Sequence, residues 1–432
     1  MALAFLATIT LGSLVLLLPV AHAPGVRVAW SDALFTATSA VTVTGLTTVD
    51  LGTSFSRFGQ VVVLLLIHAG GLGIITLGVI AAWIVGGRVG FGQRLRVQAE
   101  GQTLHVGGVV HLVRSIALLA LGVEALLVLA MWPGLAREVG ALEGAWLAVF
   151  HAGSAFHNAG FSPLTGSLAG WLGNGVRLGA VLVGFIVGGL GYTVLIELGQ
   201  RARGVRRHLS LHARIALAST AVLLAVGAGV VAVGEAANPG TLQGLPTGQR
   251  WLAAIFQGAT PRTAGFSVLE VGDMRPATLA VTMLLMFIGG NPGSTAGGIK
   301  TVTFFVLAGS AWSLARGRGD LEVGGRRLGR DLLVRAGVVA FLGAVVVGAG
   351  MTALFAVESG RAPLALAFEA VSAFGTVGLS MGVTPELGGA AKGVLIVLML
   401  VGRLGPLTAA LALVETPRVS RVRRPAEDVM IG

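Results

Sequence analysis

The sequence predicts an all-α polytopic membrane protein of four pseudo-symmetric repeats. Each repeat is a span, a half-length helix, a re-entrant loop and a second span, which makes eight transmembrane helices and four loops around one central axis. Three observations predict this. The 432 residues are 54% hydrophobic and 11% charged, with mean hydropathy +0.87, whereas soluble domains carry about 25% charged residues. A motif led by phenylalanine and closed by glycine occurs four times at near-regular spacing. An apolar run of bilayer-crossing length flanks each copy on both sides.

The motif copies are "FTATSAVTVTGLT", "FHAGSAFHNAGFS", "FQGATPRTAGFS" and "FEAVSAFGTVGLS". They start at Phe35, Phe150, Phe256 and Phe368 and end in Gly-Leu/Phe-Thr/Ser at Gly45, Gly160, Gly265 and Gly378, at intervals of 115, 105 and 113 residues. Apolar runs precede them near 3–20, 108–132, 211–234 and 332–357, and follow them near 59–84, 174–199, 277–312 and 389–413. A half-helix of about 12 residues is ~18 Å long and reaches only midway into a bilayer. The repeats therefore span 1–85, 86–200 with a cytoplasmic linker, 201–314 with a broken second span, and 315–415, followed by a basic tail, 416–432.

Met1 runs straight into an apolar segment without a basic leader or a small-residue cleavage site, so the first run reads as a retained span. With no cysteine, disulfides and thiolate chemistry are excluded. The net charge of +11 sits in four arginine clusters: Arg88, Arg94 and Arg96; Arg201 to Arg214; Arg316 to Arg335; and Arg418 to Arg424. These fall in alternate inter-span segments and the C-terminus, so the positive-inside rule puts them, and both termini, in the cytoplasm. That accounts for the charge without nucleic acid.

Non-helical backbone at membrane depth is tolerated only where protein or a watery cavity surrounds it. Four such segments from four similar units fit one shared cavity, where backbone carbonyls replace the hydration shell of a cation. Glycine suits that wall because it has no Cβ and accepts unusual φ/ψ. The half-helices would aim their negative dipole ends at the same place. Purely structural re-entrant turns are the alternative.

Taken as a set, "VTGL", "NAGF", "TAGF" and "TVGL" inside span–half-helix–span repeats resemble the Trk/Ktr/HKT superfamily of potassium transport proteins. Eight spans without an additional N-terminal pair look closer to the Ktr-type membrane subunit than to the longer Trk type. The resemblance makes Val43, Thr44 and Gly45, Asn158, Ala159 and Gly160, Thr263, Ala264 and Gly265, and Thr376, Val377 and Gly378 a potassium filter. Glycine at the first filter position goes with potassium in this superfamily and serine with sodium, so Gly45 implies K+ as the transported ion, with Na+ the alternative and no organic cofactor. It also implies a multi-pass protein of the bacterial cytoplasmic membrane, embedded in lipid as a homodimer on a ring of cytosolic nucleotide-binding, RCK-type regulatory subunits. No nucleotide-binding fingerprint occurs in this chain, and the arginine-rich loops are the candidates for that contact.

The run 277–312 holds "GGNPGSTAGGIKT". It is nearly a phosphate-cradling loop, but Ile299 separates Gly298 from Lys300. A continuous 36-residue helix would measure ~54 Å against a ~30 Å hydrocarbon core, and the glycines and Pro292 break it. Gly289, Gly290, Asn291, Pro292, Gly293, Ser294, Thr295, Gly297 and Gly298 would then obstruct the cavity as a gate, the role the resemblance also assigns. Lys300 is expected in an aqueous cavity or paired, or snorkelling to the interface. Arg403, mid-way along the last apolar run, matches a family arginine near the gate; it would raise an electrostatic barrier and donate to the loop's carbonyls, or else cap a broken helix.

His151 and His157 read as side chains behind the filter, not metal ligands, and Asn158 as a brace. Glu124 and Glu197 lie inside apolar runs, where neighbouring helices or interface water would satisfy them. Asp32, Asp50, Glu270, Asp273 and Glu386 fall on the outer side and would enrich cations at a mouth, or are scattered surface charge. The glycine groups at 70–73 and 188–191 read as close helix contacts. An intramembrane hydrolase using Ser154 with His151 or His157 has no supporting HExxH or GxSxG motif and leaves the repeat unexplained. A sodium- or proton-coupled secondary transporter of the same fold remains the alternative to a gated conduit, and voltage-driven flux without a coupling gradient separates the two.

Overall fold

A computed structural model describes residues 2–73, 109–318 and 320–405. It is almost wholly helical, and the motif copies organise it. In the first repeat Ala2–Leu16 leads to the half-helix Trp30–Val41, and Arg57–Gly71 follows. The second has Val109–Val139, the half-helix Ala141–Phe156, then Gly175–Gly189 and Tyr192–Ala202. The third has Leu211–Gly234, the half-helix Thr247–Ala259, then Pro276–Phe287 and Thr301–Ala315. The fourth has Arg330–Val357, the half-helix Pro363–Gly375 and Gly389–Leu404. Between the third and fourth lies a two-stranded antiparallel hairpin, Glu322–Val323 with Arg326–Arg327. Its turn residues Gly324 and Gly325 have φ of 59° and 73°, the sign a two-residue hairpin loop requires.

Local sequence sets the helix starts. Ser56, Asn174 and Ser210 accept backbone N–H bonds as N-caps, and Pro276 and Pro363 stand in first turns where no donor is lost. Among the described residues, three helices are long and apolar enough to cross a membrane, Arg114–Val139, Leu211–Gly234 and Asp331–Val357. Arg57–Gly71 and Gly389–Leu404 are shorter, and both run up to residues outside the described set.

One expectation is corrected here. The run 174–199 is not one straight helix: Gly175–Gly189 and Tyr192–Ala202 meet at 105°. Gly191, with φ +89°, turns the chain, and the loop of the third repeat occupies the notch. Asn291 N–H donates to Gly189 O at 3.0 Å, and Tyr192 N–H donates to Gly293 O at 2.9 Å. The first arginine cluster, the fourth, and the C-terminal "PAEDVMIG" lie outside the described residues.

Polar side chains lie enclosed at the centre of a largely apolar interior. Ser39, Thr42, Thr44, Ser154, Asn158, Thr260, Thr263, Ser372 and Thr376 are buried at the centre, beside Phe35, Phe150, Phe256 and Phe368, each fully enclosed. Leucines and valines such as Leu118, Leu126, Leu129, Val338 and Val345 face outward. Apolar side chains turned outward suit a surface solvated by lipid.

Candidate functional site

Each half-helix ends at its glycine segment, and the four segments share one backbone geometry. Val43, Asn158, Thr263 and Thr376 have φ of 57°, 59°, 67° and 48°, and the glycines two residues on, Gly45, Gly160, Gly265 and Gly378, have φ of 92°, 69°, 76° and 91°. A non-glycine residue in the left-handed region costs roughly 1–2 kcal/mol, and here it recurs at the equivalent position of every repeat. Such strain persists only where its surroundings impose it, commonly at functional sites.

These glycines close a ring. A methyl group on Gly45 would come 3.2 Å from Gly160 Cα, and one on Gly160 would come 2.8 Å from Gly265 Cα. One on Gly265 would strike the Val377 carbonyl, and one on Gly378 would come 3.0 Å from Gly45 Cα. The contacts run first repeat to second, second to third, third to fourth and fourth back to first. The twelve residues expected to form the filter are thereby brought together.

Hydroxyls four residues after each motif phenylalanine brace the ring, a role the sequence reading missed although "F-x-x-x-S/T" is visible in all four copies. Ser39 Oγ accepts from Gly45 N–H at 3.0 Å and Ser372 Oγ from Gly378 N–H at 3.1 Å. Ser154 Oγ donates to Phe161 O at 2.7 Å, and Thr260 Oγ1 to Phe266 O at 2.6 Å. The carbonyls of Phe185 and Ala155, which can only accept, assign the amide nitrogen of Asn158 to the side facing them, at 2.8 and 3.1 Å. The side chain thus braces the segment from behind.

Behind the second segment, Glu124 spans two imidazoles, with Oε2 at 3.1 Å from His68 Nε2 and Oε1 at 3.1 Å from His157 Nε2. Among the described residues this is the group of His and carboxylate side chains able to ligate a metal. His68 Nε2 is hydrogen-bonded to Glu124 Oε2, whereas His157 Nε2 approaches Glu124 Oε1 as an ion-pair contact without hydrogen-bond geometry. Ser154 and His151 do not form a nucleophile–base pair, because His151 Nε2 meets Ser162 Oγ at 3.0 Å. Glu197 lies past the bend and bonds to Arg206 at 2.9 Å and to Ser210 N–H.

On one side of the ring a cavity of about 430 Å³ opens onto Gly45 and Gly378, lined also by Glu270 and Asp273. The other outer acids have partners. Asp32 pairs with Lys392 at 2.8 Å, Asp50 caps Thr53 N–H, and Glu386 pairs with Arg361. Of the five acids expected to enrich cations, two line this cavity.

On the other side lies the 288–300 segment. Gly297 fits against the Thr376 side chain with no room for a Cβ. Thr295 Oγ1 donates to Gly188 O at 3.2 Å, and Asn291 Nδ2 donates to Thr220 Oγ1 at 3.0 Å. Arg403 reaches from the fourth repeat to donate to the carbonyls of Thr295 in this segment and Gly70 in the first repeat. It sits one residue before Leu404, and Gly405 follows with φ +85°; the rest of that apolar run lies outside the described residues. Lys300 Nζ folds back to donate to Ala296 O at 2.6 Å. The segment's base holds a residue the sequence reading passed over, the buried Arg262, which donates to Thr301 Oγ1 at 2.9 Å while Thr301 Oγ1 donates to Gly289 O at 2.8 Å. The signal for Arg262 was an arginine next to the filter position of one copy alone.

A helical membrane protein with four equivalent glycine turns closed into a ring is a transport fold, and the comparisons with known proteins agree. The family model described as "TrkH: Cation transport protein" matches residues 5–422. The chain is 40% identical to Ktr system potassium uptake protein B of Bacillus subtilis, over 100% of this chain and 96% of that protein. It is 34% identical to potassium/sodium uptake protein NtpJ of Enterococcus hirae, over 100% and 96%. The crystal structure of the potassium transporter TrkH from Vibrio parahaemolyticus superposes with a TM-score of 0.75 at 21% identity, covering 96% of this chain and 83% of that one. The chain belongs to the TrkH family of cation transport proteins. It is an ion transporter, not an enzyme.

Proposed function

We propose that the protein takes up potassium across a bacterial cytoplasmic membrane through a single pore. The pore is lined by Val43–Gly45, Asn158–Gly160, Thr263–Gly265 and Thr376–Gly378 and gated from the cytoplasmic side by residues 289–300 with Arg403. The observation that carries this reading is the cyclic contact of the four glycines. Left-handed residues ahead of the glycines let successive carbonyls turn to the axis, where they stand in for water around a dehydrated cation. Eight spans with four re-entrant loops follow if each repeat crosses the membrane twice, the broken second spans of the second and third repeats counting once each. The homodimer and the cytosolic nucleotide-binding ring belong to the same reading, with arginine-rich loops on the cytoplasmic face as the contact surface.

The resting gate is closed by ties on three sides: Thr295 and Asn291 to the second repeat, Thr301 to Arg262, and Arg403 to Thr295. Opening must break the charge-assisted bonds of Arg403, so a regulatory subunit acts by shifting the balance between tied and released loop. Purified protein in liposomes with a potassium gradient tests the reading. Voltage alone should drive K+ and Rb+ flux in excess of Na+. Flux that needs a sodium or proton gradient would favour the coupled transporter, which the potassium/sodium relative keeps in view.

A further inference from the structure

The residue directly after each motif phenylalanine differs among the repeats: Thr36, His151, Gln257 and Glu369. In three of them it reaches the hydroxyl two residues past the glycine. His151 Nδ1 is committed to Leu147 O, so its Nε2 accepts from Ser162 Oγ at 3.0 Å. Gln257 Oε1 accepts from Val268 N–H at 3.2 Å and lies 3.5 Å from Ser267 Oγ, whose proton goes to Leu269 O. Glu369 Oε1 accepts from Ser380 Oγ at 2.5 Å and Met381 N–H at 3.2 Å. The Thr36 hydroxyl is buried and makes no such bond.

Glu369 goes further than its counterparts. It is the one carboxyl of the four, it is fully buried, and its second oxygen accepts from Thr384 Oγ1 at 2.6 Å. Ser380 Oγ in turn accepts from Gly382 N–H at 2.9 Å. One enclosed side chain thus gathers three donors from residues 380–384. That turn is a wall of the mouth cavity, contributing Ser380, Met381 and Gly382 above Gly45 and Gly378. The third repeat's turn leans on it, since a Cβ on Gly272 would lie 3.3 Å from Met381 O. Buried donors deprived of an acceptor carry the full cost of desolvation, so the turn cannot hold its shape once the carboxyl is gone.

We propose that Glu369 is the positioning residue of the outer mouth: by holding residues 380–384 it fixes the cavity in which a cation is captured, and so sets the potassium concentration that half-saturates transport. This rests on the reading that the four glycine turns conduct. The third repeat supplies the internal control, because Gln257 does the equivalent work with an amide.

The test is uptake by purified variants in liposomes, measured against external potassium. Glu369→Leu should raise the half-saturating concentration about tenfold while lowering the maximal rate less, and Glu369→Gln should return it to within about threefold of the parent. Thr384→Val and Ser380→Ala, which remove one donor each and keep the carboxyl, should raise it about threefold; these two decide the matter if the leucine variant does not fold. Half-saturation unchanged in the variants that fold, or a loss confined to the maximal rate, overturns the proposal. Gly45→Ser run alongside separates the two readings: altered ion preference there with unaltered half-saturation in the Glu369 series sinks this inference alone, whereas unaltered ion preference sinks the filter itself.

Discussion

Gly45 carries the most specific consequence at the residue scale. Its φ of 92° and its contact with the Ala159 carbonyl leave no space for a side chain. Gly45→Ser must therefore shift the first and second segments apart. The potassium-over-sodium flux ratio should fall about tenfold, a loss of about 1.4 kcal/mol in discrimination; an unchanged ratio in liposomes counts against the filter. The brace hydroxyls make a separate prediction. Ser39→Ala orphans the Gly45 N–H and Ser372→Ala orphans that of Gly378, each costing about 1–3 kcal/mol, readable as a lower unfolding midpoint in detergent. Arg403→Ala removes donors to Thr295 and Gly70. Charge-assisted bonds contribute about 1.5–3 kcal/mol, so basal flux should rise about tenfold or more. A folded variant with normal or reduced flux would show that Arg403 does not close the gate.

At the scale of elements, the sequence made the half-helices and the loop legible and hid the bend. The motif phenylalanine lies within each half-helix and the glycine a few residues past its end, and a 36-residue apolar run interrupted by "GGNPGSTAGG" cannot be one helix. The 105° turn at Gly189–Gly191 sits in a mostly apolar run, at a glycine group that reads equally as close helix packing. Its cause is tertiary, the docking of Asn291 and Gly293 from the next repeat, and single-sequence periodicity carries no trace of that. Arg262 escaped for a similar reason: its partners Thr220 and Thr301 are 42 and 39 residues away. If Arg262 anchors the base of the loop, Arg262→Met should loosen the gate and raise basal flux, and Thr301→Val should do the same. A partial deletion within Gly290–Gly298 should raise flux further, and a folded deletion with unchanged flux would move the gate elsewhere.

For the whole molecule, the pseudo-fourfold plan was readable because each copy repeats both the signature and its flanking runs, and a ring is the closed arrangement of four like units. Helix length was less readable. Pro19 opens a short 3-10 turn after Ala2–Leu16, so the first helix stops before its apolar run does, and Val109–Val139 instead continues through Pro133. The outward-facing leucines and valines agree with a lipid-exposed perimeter, and the arginine-rich segments remain the surfaces proposed for regulatory contact. Removing Val429–Gly432 should weaken dimerisation, checked by the mass of the detergent-solubilised protein. The account's central claim is that the four glycine turns coordinate the permeating ion, and an anomalous-scattering map of crystals grown in rubidium addresses it most directly. Peaks on the axis among Val43–Gly45, Asn158–Gly160, Thr263–Gly265 and Thr376–Gly378 are the predicted result. Bound rubidium elsewhere in the protein, with none between those segments, would contradict it.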